Sequence, residues 1–590
     1  MSAEKRATTT TPPIRAKGRL FRVSLAGDVL PMVLAVALTI VRIVLAYQTP
    51  VTVLLGAGTE ADDRLFANAA LYLAAGKWLG PYGRYTLAKN PGYPMIIALC
   101  GTTHIRYQLF FIGAQAIACL AFAIALRPRI RSRWVRVVVY LILLYTPLLF
   151  TTTYFRRIYR DGMVIPFAIL SLSAYIGWYL RRKGPVRVQL PWSAAAALGL
   201  VPLSLIKENF TWVLPFVLVC SLVMAVGWLK AARREHQGAR GPIVRVALLV
   251  LPLVLVWSAS EAVSRVNYER YGFNGTNERF TGSFARVCSD LSGIDTGEKD
   301  EGLWVSRKAL ESAMGASPTL ATIRESVEGS WDEWDESFDG HEVYGDLAYW
   351  ALRQGYYDAR KNATARTASA FWSKVDAELR KAERTGNIAA KGGLRISQVA
   401  PPVGTTDLLP WARRTLDTSA TLLRLDVLQE HLIEPGWKPV SPPGMFASGE
   451  VKMRVLLGGN TLVNGEVDDT SKKAAAVSAV DYHLGRVGIA AMRIMNLLLL
   501  PAIAALVAMA VRGRVKQPVE SLLIALGLAL TALAYEAATV WYVSYQLSVF
   551  SFDSYLLEVG KYSPEFYVVI SMLECLIFAE LAGLEHKHAR

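Results

Sequence analysis

Asp62-Asp63 is the first pair of residues in the chain that could do acid–base chemistry. Adjacent carboxylates raise one another's pKa and can supply a general base, and the same oxygens suit a divalent cation. An aspartate pair also suits the first turn of a helix, where the dipole favours negative charge. Lys89-Asn90-Pro91-Gly92-Tyr93-Pro94 follows, and its two prolines and glycine fix a bend. Lys89 is placed there either to meet a phosphate or to snorkel from an apolar surface, and Tyr93 is a candidate cavity residue. Tyr154–Asp161 then gathers Arg156, Arg157 and Arg160. Guanidinium forks bind phosphate or carboxylate through two hydrogen bonds. The three arginines therefore read as a clamp for an anionic headgroup, or as partners of Asp161 and of lipid phosphates. Lys207-Glu208 lies in a tight turn and either lines a cavity or neutralises itself. Lys561-Tyr562 stands just before the last apolar run. Trp331 and Trp334 lie among Asp332, Glu333, Asp335 and Glu336, which suits sugar stacking or plain packing.

The elements that must hold these residues are long and apolar. A membrane-spanning helix needs about 20 mostly apolar residues. Ten such runs are predicted, at 28–47, 107–126, 135–153, 162–180, 191–206, 211–229, 246–264, 488–511, 519–540 and 565–584. The run Tyr93–Thr103 is too short and reads as an interfacial lead-in, which leaves about 10 (10–11) spans. Arg42, Arg493, Glu536 and Glu574 lie inside apolar runs, where charges are costly and need partners. With the N-terminus placed inside, the inner loops hold 25 Lys plus Arg and the short outer loops 10. That asymmetry follows the positive-inside rule. It puts both termini in the cytoplasm and every candidate residue named above on the extracytoplasmic side.

Four regions follow. Residues 1–26 form a basic cytoplasmic N-terminus, and 27–264 an N-terminal bundle whose first outer loop is 48–106. Residues 265–487 form a soluble extracytoplasmic domain, and 488–590 carry the last three helices. The polar segment 265–487 holds 27 basic and 31 acidic residues, and the rest of the chain 37 and 17. The overall charge of +16 is therefore a membrane part near +20 and an outer part near −4. This placement removes the nucleic-acid reading that a basic chain invites. A hydrophobic share of 53% and a mean hydropathy of +0.29 exclude a disordered chain and argue against a wholly soluble enzyme. Residues 265–487 are expected to be mixed α/β, with a helix over Ala370–Arg384 and a hairpin-like turn at Gly458-Gly459-Asn460. Its single cysteine, Cys288, forms no disulfide within that segment. No zinc-ligand spacing, P-loop or dinucleotide fingerprint is present.

An acidic pair after the first span, a short helix ending Gly76-Lys77-Trp78-Leu79 and a turn Lys89–Pro94 resemble the GT-C superfamily of integral-membrane glycosyltransferases. The closest likeness is to the branch of protein O-mannosyltransferases and aminoarabinose transferases. Lys561-Tyr562-Ser563-Pro564 faintly resembles that branch's lead-in to a late helix. The likeness is specific over about 28–126, and the outer segment before the last three helices departs from the family pattern. The resemblance implies a polytopic, mainly α membrane bundle and transfer of a sugar from a polyprenyl-phosphate donor. The acceptor would be an extracytoplasmic glycan, glycolipid or protein of the cell envelope. Asp62 or Asp63 would be the base of an inverting displacement, with Lys89, Arg156, Arg157 and Arg160 on the donor phosphate. Tyr93, Lys207, Glu208, Lys561 and Tyr562 would line the cavity, and Trp331 and Trp334 would meet acceptor sugar. A divalent cation, Mg or Mn, is the one cofactor left open, on Asp62 and Asp63. Rival readings are a transporter or flippase of a polyprenyl-linked or other anionic lipid, a non-catalytic envelope-glycan-binding assembly protein, and a glycan polymerase or ligase.

Overall fold

The structure is a computed structural model that describes residues 29–55, 61–234, 240–298, 302–336, 342–395, 397, 399–432, 452–453, 455–458, 461–463, 472–513, 518–544 and 552–588. It is mainly helical. In chain order the first part has α1 (Leu30–Gln48), β1 (Val51–Val53), α2 (Asp63–Ala74), α3 (Gly92–Thr103), α4 (Tyr107–Ala125), α5 (Arg133–Leu144), α6 (Arg160–Leu180), α7 (Val186–Ile206), α8 (Leu214–Arg234) and α9 (Arg240–Tyr271). The polar segment has α10 (Gly282–Ser292), α11 (Arg307–Ala316), α12 (Pro318–Ala321), α13 (Arg324–Asp335), α14 (Leu347–Ala359), α15 (Ala365–Arg384), α16 (Leu408–Leu422), α17 (Asp426–Glu430) and β2 (Thr461–Val463). The chain ends with α18 (Lys472–Val511), α19 (Pro518–Val543), α20 (Phe552–Tyr562) and α21 (Pro564–His588).

Among the described residues, nine helices are long and apolar enough to cross a membrane: α1, α4, α6, α7, α8, α9, α18, α19 and α21. The expected tenth, over 135–153, is not one of them. The residue before a proline is pushed out of the helical region, and Thr146 before Pro147 sits at φ −52, ψ 136. Helix α5 is thereby held to 12 residues, about 18 Å at 1.5 Å per residue. The chain nevertheless climbs beside α1 through this stretch. Thr39 and Tyr140 share a hydroxyl contact of 2.7 Å, Tyr145 donates to the Leu38 carbonyl, and Arg42 donates to the Leu149 carbonyl at 2.8 Å. Arg42 also lies over the rings of Phe150 and Phe155, so this buried charge is held by aromatic faces and a carbonyl.

Helix α6 is the axis of the bundle. It is apolar on every side and 94% of its apolar window is buried, as expected of a helix surrounded by others. The corresponding figure for α1 and α9 is 17%, which places them at the lipid-facing rim. Glycines allow the closest crossings. A Cβ on Gly199 of α7 would lie 2.5 Å from Ser171 Oγ of α6, and one on Gly92 of α3 would lie 2.4 Å from the Leu205 carbonyl.

The mixed α/β character expected of 265–487 is not seen among its described residues. They form helices around a core that includes Trp304, Trp331, Tyr349 and Trp372. A capping box of Thr364 and Thr367 starts α15, the helix expected around Ala370–Arg384. The one strand there, β2, pairs in parallel with β1, Val51 facing Thr461. The expected turn at Gly458-Gly459-Asn460 falls partly outside the described residues, and the run after it joins the first loop instead of folding back on itself. Trp541 of α19 enters the polar segment's core, so that segment is packed onto the bundle.

Candidate functional site

Asp62, Asp63 and Lys89 of the first loop, Arg157, Arg160 and Asp161, Lys207-Glu208 and Lys561-Tyr562 converge at the end of the bundle that carries the polar segment. Asp62 stands immediately before α2 and Asp63 begins it. The two carboxylates have different surroundings. Asp63 is fully buried. Arg157 Nε donates to both of its oxygens, at 2.9 and 3.0 Å, and the Leu54 amide donates to Oδ2 at 3.1 Å. The Asp62 side chain keeps 27% exposure and pairs with the Lys89 ammonium through Oδ1. Burial alone would raise the Asp62 carboxyl, but Lys89, then Lys561 and Arg157, outweigh it and hold it well below the usual carboxylate range.

Lys89 is itself buried between the Phe66 ring, 5.3 Å away, and the Trp350 ring, 6.0 Å away. The bend after it is tied down from three directions. The Asn90 amide donates to Glu208 Oε1 at 2.9 Å, its side chain donates to the Ser204 carbonyl at 3.1 Å, and it accepts from Asn277 at 2.6 Å. Arg160 pairs with Glu208 at 2.7 Å. Burial raises the Glu208 carboxyl, yet Arg160 and the Asn90 amide bring it below its ordinary value. Lys207 does not neutralise Glu208, its neighbour in sequence. It reaches Asp161 at 2.5 Å and Glu565 at 3.0 Å, and Tyr535 donates its hydroxyl to Glu565 at 2.6 Å. Burial would lower the Lys207 ammonium, but the two carboxylates raise it.

Lys561 lies 3.3 Å from Glu558 and over the rings of Tyr159 and Tyr562, within electrostatic reach of Asp62. Tyr562 shares that reach. Three other expected site residues are buried in packing. Arg156 is buried on the side of Asp481. Tyr93 is buried, its hydroxyl 2.9 Å from that of Tyr107, so it is a wall and not a cavity surface. Trp331 is 1% exposed in the polar segment's core, which leaves no face for a sugar. Trp334 is partly exposed, and its indole N–H donates to Gln354 at 3.0 Å.

The donor set does not fit the divalent cation considered for Asp62 and Asp63. Both Asp63 oxygens already accept from Arg157, and such a cation wants several carboxylate or carbonyl oxygens at once. No group of three or more His, Cys, Asp or Glu able to hold a metal occurs among the described residues.

Several residues at this face carry no mark in the sequence. Arg353 pairs with Glu278 at 2.6 Å and donates to the Arg84 and Thr86 carbonyls. Arg279 pairs with Asp346 at 2.6 Å and lies over Trp350. Glu565 had one sequence signal, an acid in the first turn of an apolar run. Comparison with models of known protein families, with curated proteins and with solved structures finds no match.

Proposed function

We propose that the chain is a membrane glycosyltransferase of the GT-C type that moves a sugar from a polyprenyl-phosphate donor to an acceptor hydroxyl on the extracytoplasmic face. The observation that carries this reading is Asp62. It is a partly exposed carboxylate beside Lys89, Lys561 and Arg157, at a face where Asp63 and Glu208 are committed to arginines. Asp62 accepts the acceptor's proton and the oxygen attacks the anomeric carbon. The bond from that carbon to the phosphate oxygen breaks, and the phosphate leaves with the electron pair. Its charge falls to Lys89 and Lys561, the two lysines whose charges act on Asp62. Arg157 and Arg160 position Asp63 and Glu208.

Lys89 couples the two halves of the reaction. While it faces Asp62 the carboxylate is ionised but weakly basic. As the ammonium turns to the phosphate, Asp62 loses its counter-charge inside a low-dielectric site and becomes a stronger base. The test is transfer from a radiolabelled polyprenyl-phosphate sugar by reconstituted protein. Loss of transfer with Asp62→Asn supports the reading, and full transfer overturns it.

A transporter of an anionic lipid is the second reading. It is favoured by the cluster of Lys207, Asp161, Glu565 and Tyr535 buried between helices that can cross a membrane. Concentrative uptake of a polyprenyl phosphate by reconstituted vesicles would establish it in place of the first.

A further inference from the structure

Helix α16 (Leu408–Leu422) belongs to the polar segment but rests on the bundle. Near its start the Trp411 indole N–H donates to the Ala537 carbonyl of α19 at 2.8 Å. Just past its end, Asn496 of α18 donates to the Leu423 carbonyl at 2.7 Å and Arg493 to the Arg424 carbonyl at 2.6 Å. These contacts fix its height. Ala537 stands 19 residues from the start of α19 at Pro518, about 28 Å at 1.5 Å per residue. Arg493 and Asn496 stand 18 and 15 residues from the end of α18 at Val511, about 27 and 22 Å. Val511 and Pro518 are joined by six residues and share one end of the bundle. Trp411 and Leu423 are about 18 Å apart along α16, yet their heights differ by only about 6 Å. The hydrocarbon core of a bilayer is about 30 Å thick. Helix α16 therefore lies nearly parallel to the membrane, at the border of that core.

The helix has three sides. Thr415, Thr418, Ser419 and Leu422 are buried against the bundle, with Trp411 half-buried in line with them. At 3.6 residues per turn, Leu408, Leu409, Ala412, Leu416 and Ala420 fall together on a second side. All five are exposed, Leu409 at 60% and Leu416 at 59%. Arg413, Arg414 and Asp417 fall on the third side. A helix wholly in water gains nothing from parting its outer residues into an apolar and a charged side, whereas a helix in a membrane interface requires it. The exposed apolar surface of α18 begins at the same height, with Ile494 and Leu497 beside Asn496. The rings of Trp411 and Trp541 lie 5.9 Å apart there, at the level where indoles collect in membrane proteins. We infer that α16 is an in-plane membrane helix, and that the partner of its Leu409–Leu416 side is the acyl-chain border of a phospholipid leaflet. Part of the polar segment is then immersed in lipid. Thr418 meets the Tyr555 hydroxyl of α20 at 3.2 Å, and α20 ends in Lys561-Tyr562. Helix α16 thus sets Lys561 near the level of the lipid phosphates. The placement of α16 does not rest on the transferase reading.

The test is electron paramagnetic resonance on the full chain in nanodiscs of phosphatidylcholine and phosphatidylglycerol. A nitroxide is attached to Leu409→Cys, Leu416→Cys or Asp417→Cys, one at a time. All three positions are exposed, so the labels leave the packing of α16 intact. Four of the five native cysteines are buried and the fifth is half-buried, and the labelled parent gives the background. Collisions with oxygen, which concentrates in lipid, and with a nickel chelate, which stays in water, read the depth of each label. Labels at Leu409→Cys and Leu416→Cys should favour oxygen and lie about 5–10 Å below the phosphate level. Their depths should agree to within about 4 Å, whereas a helix along the membrane normal would separate them by about 10 Å. The label at Asp417→Cys should favour the chelate. Chelate preference at Leu409→Cys and Leu416→Cys would put that side in water and overturn the inference. Low collision with both reagents there would mean that protein, a second copy included, covers the side, and would overturn it as well. Depths about 10 Å apart, or oxygen preference at all three positions, would overturn the in-plane placement.

Discussion

Asp62 and Asp63 share a peptide bond, yet the surroundings of each carboxylate give the two opposite expected phenotypes. Asp62→Asn should lower transfer by about 10²–10⁴-fold, the usual worth of a general base. Asp63→Asn should do the reverse in emphasis. It takes from the half-buried Arg157 guanidinium its closest counter-charge, a change that costs up to about 3–5 kcal/mol when a buried pair is broken. Transfer assays and thermal unfolding in detergent, run on both variants, separate the two roles. The pH response follows from the same contact. Asp62 is depressed below its unfolded value of about 3.9, so what its pair with Lys89 contributes is complete above about pH 4 and is lost as pH falls through the folded value. The acid limb of kcat/KM due to Asp62 should therefore lie below that range in the parent. Lys89→Gln removes the largest opposing charge and leaves burial in place, so the acid limb should move to higher pH. An unmoved limb would mean that Asp62 is not the base.

Lys207 joins four helices, because it stands at the end of α7 and meets Asp161 of α6, Glu565 of α21 and the Tyr535 hydroxyl of α19. Lys207→Met would leave two buried carboxylates facing each other. A loss of about 3–5 kcal/mol is expected, seen as a lowered unfolding midpoint. Adding Asp161→Asn and Glu565→Gln should restore most of it. A midpoint unchanged in the single variant would dismiss the cluster as a brace. This cluster also explains what the sequence disclosed at the level of elements. Long apolar runs announced nine helices well, since length and hydropathy are local properties. The run at 135–153 misled because one proline ended the helix while the apolar composition continued past it. The chemistry-bearing residues were legible as residues, not as pairs. Their partners lie 27, 48, 94 and 358 positions away along the chain. Adjacent opposite charges, Lys207-Glu208 and Arg160-Asp161, drew attention to pairs that the fold does not make. The polar segment was read as mixed α/β from short β-type runs, yet its tryptophans and tyrosines pack helix on helix.

The charge asymmetry of the whole molecule is a prediction about sidedness. The face with Asp62 also carries the polar segment, and the inner loops of the positive-inside assignment are those of the opposite end of the bundle. Arg181, for example, donates to the Ile124 and Ala125 carbonyls at the far end of α4. Lys308 of the polar segment and Lys183 of the far end are both exposed, so each tolerates a reporter. The native cysteines give little background, because four of the five are buried and the fifth, Cys220, is only half-exposed. A membrane-impermeant maleimide added to intact cells should label Lys308→Cys, while Lys183→Cys should label only after permeabilisation. The reverse pattern would put Asp62 and the polar segment in the cytoplasm. That would also remove the donor chemistry proposed here, since an extracytoplasmic acceptor could not then reach the carboxylate. The outcome is governed by 25 basic residues in the inner loops against 10 in the short outer ones. Arg157, Arg160 and Lys207 weaken that contrast least, because each is paired with a carboxylate on its own face.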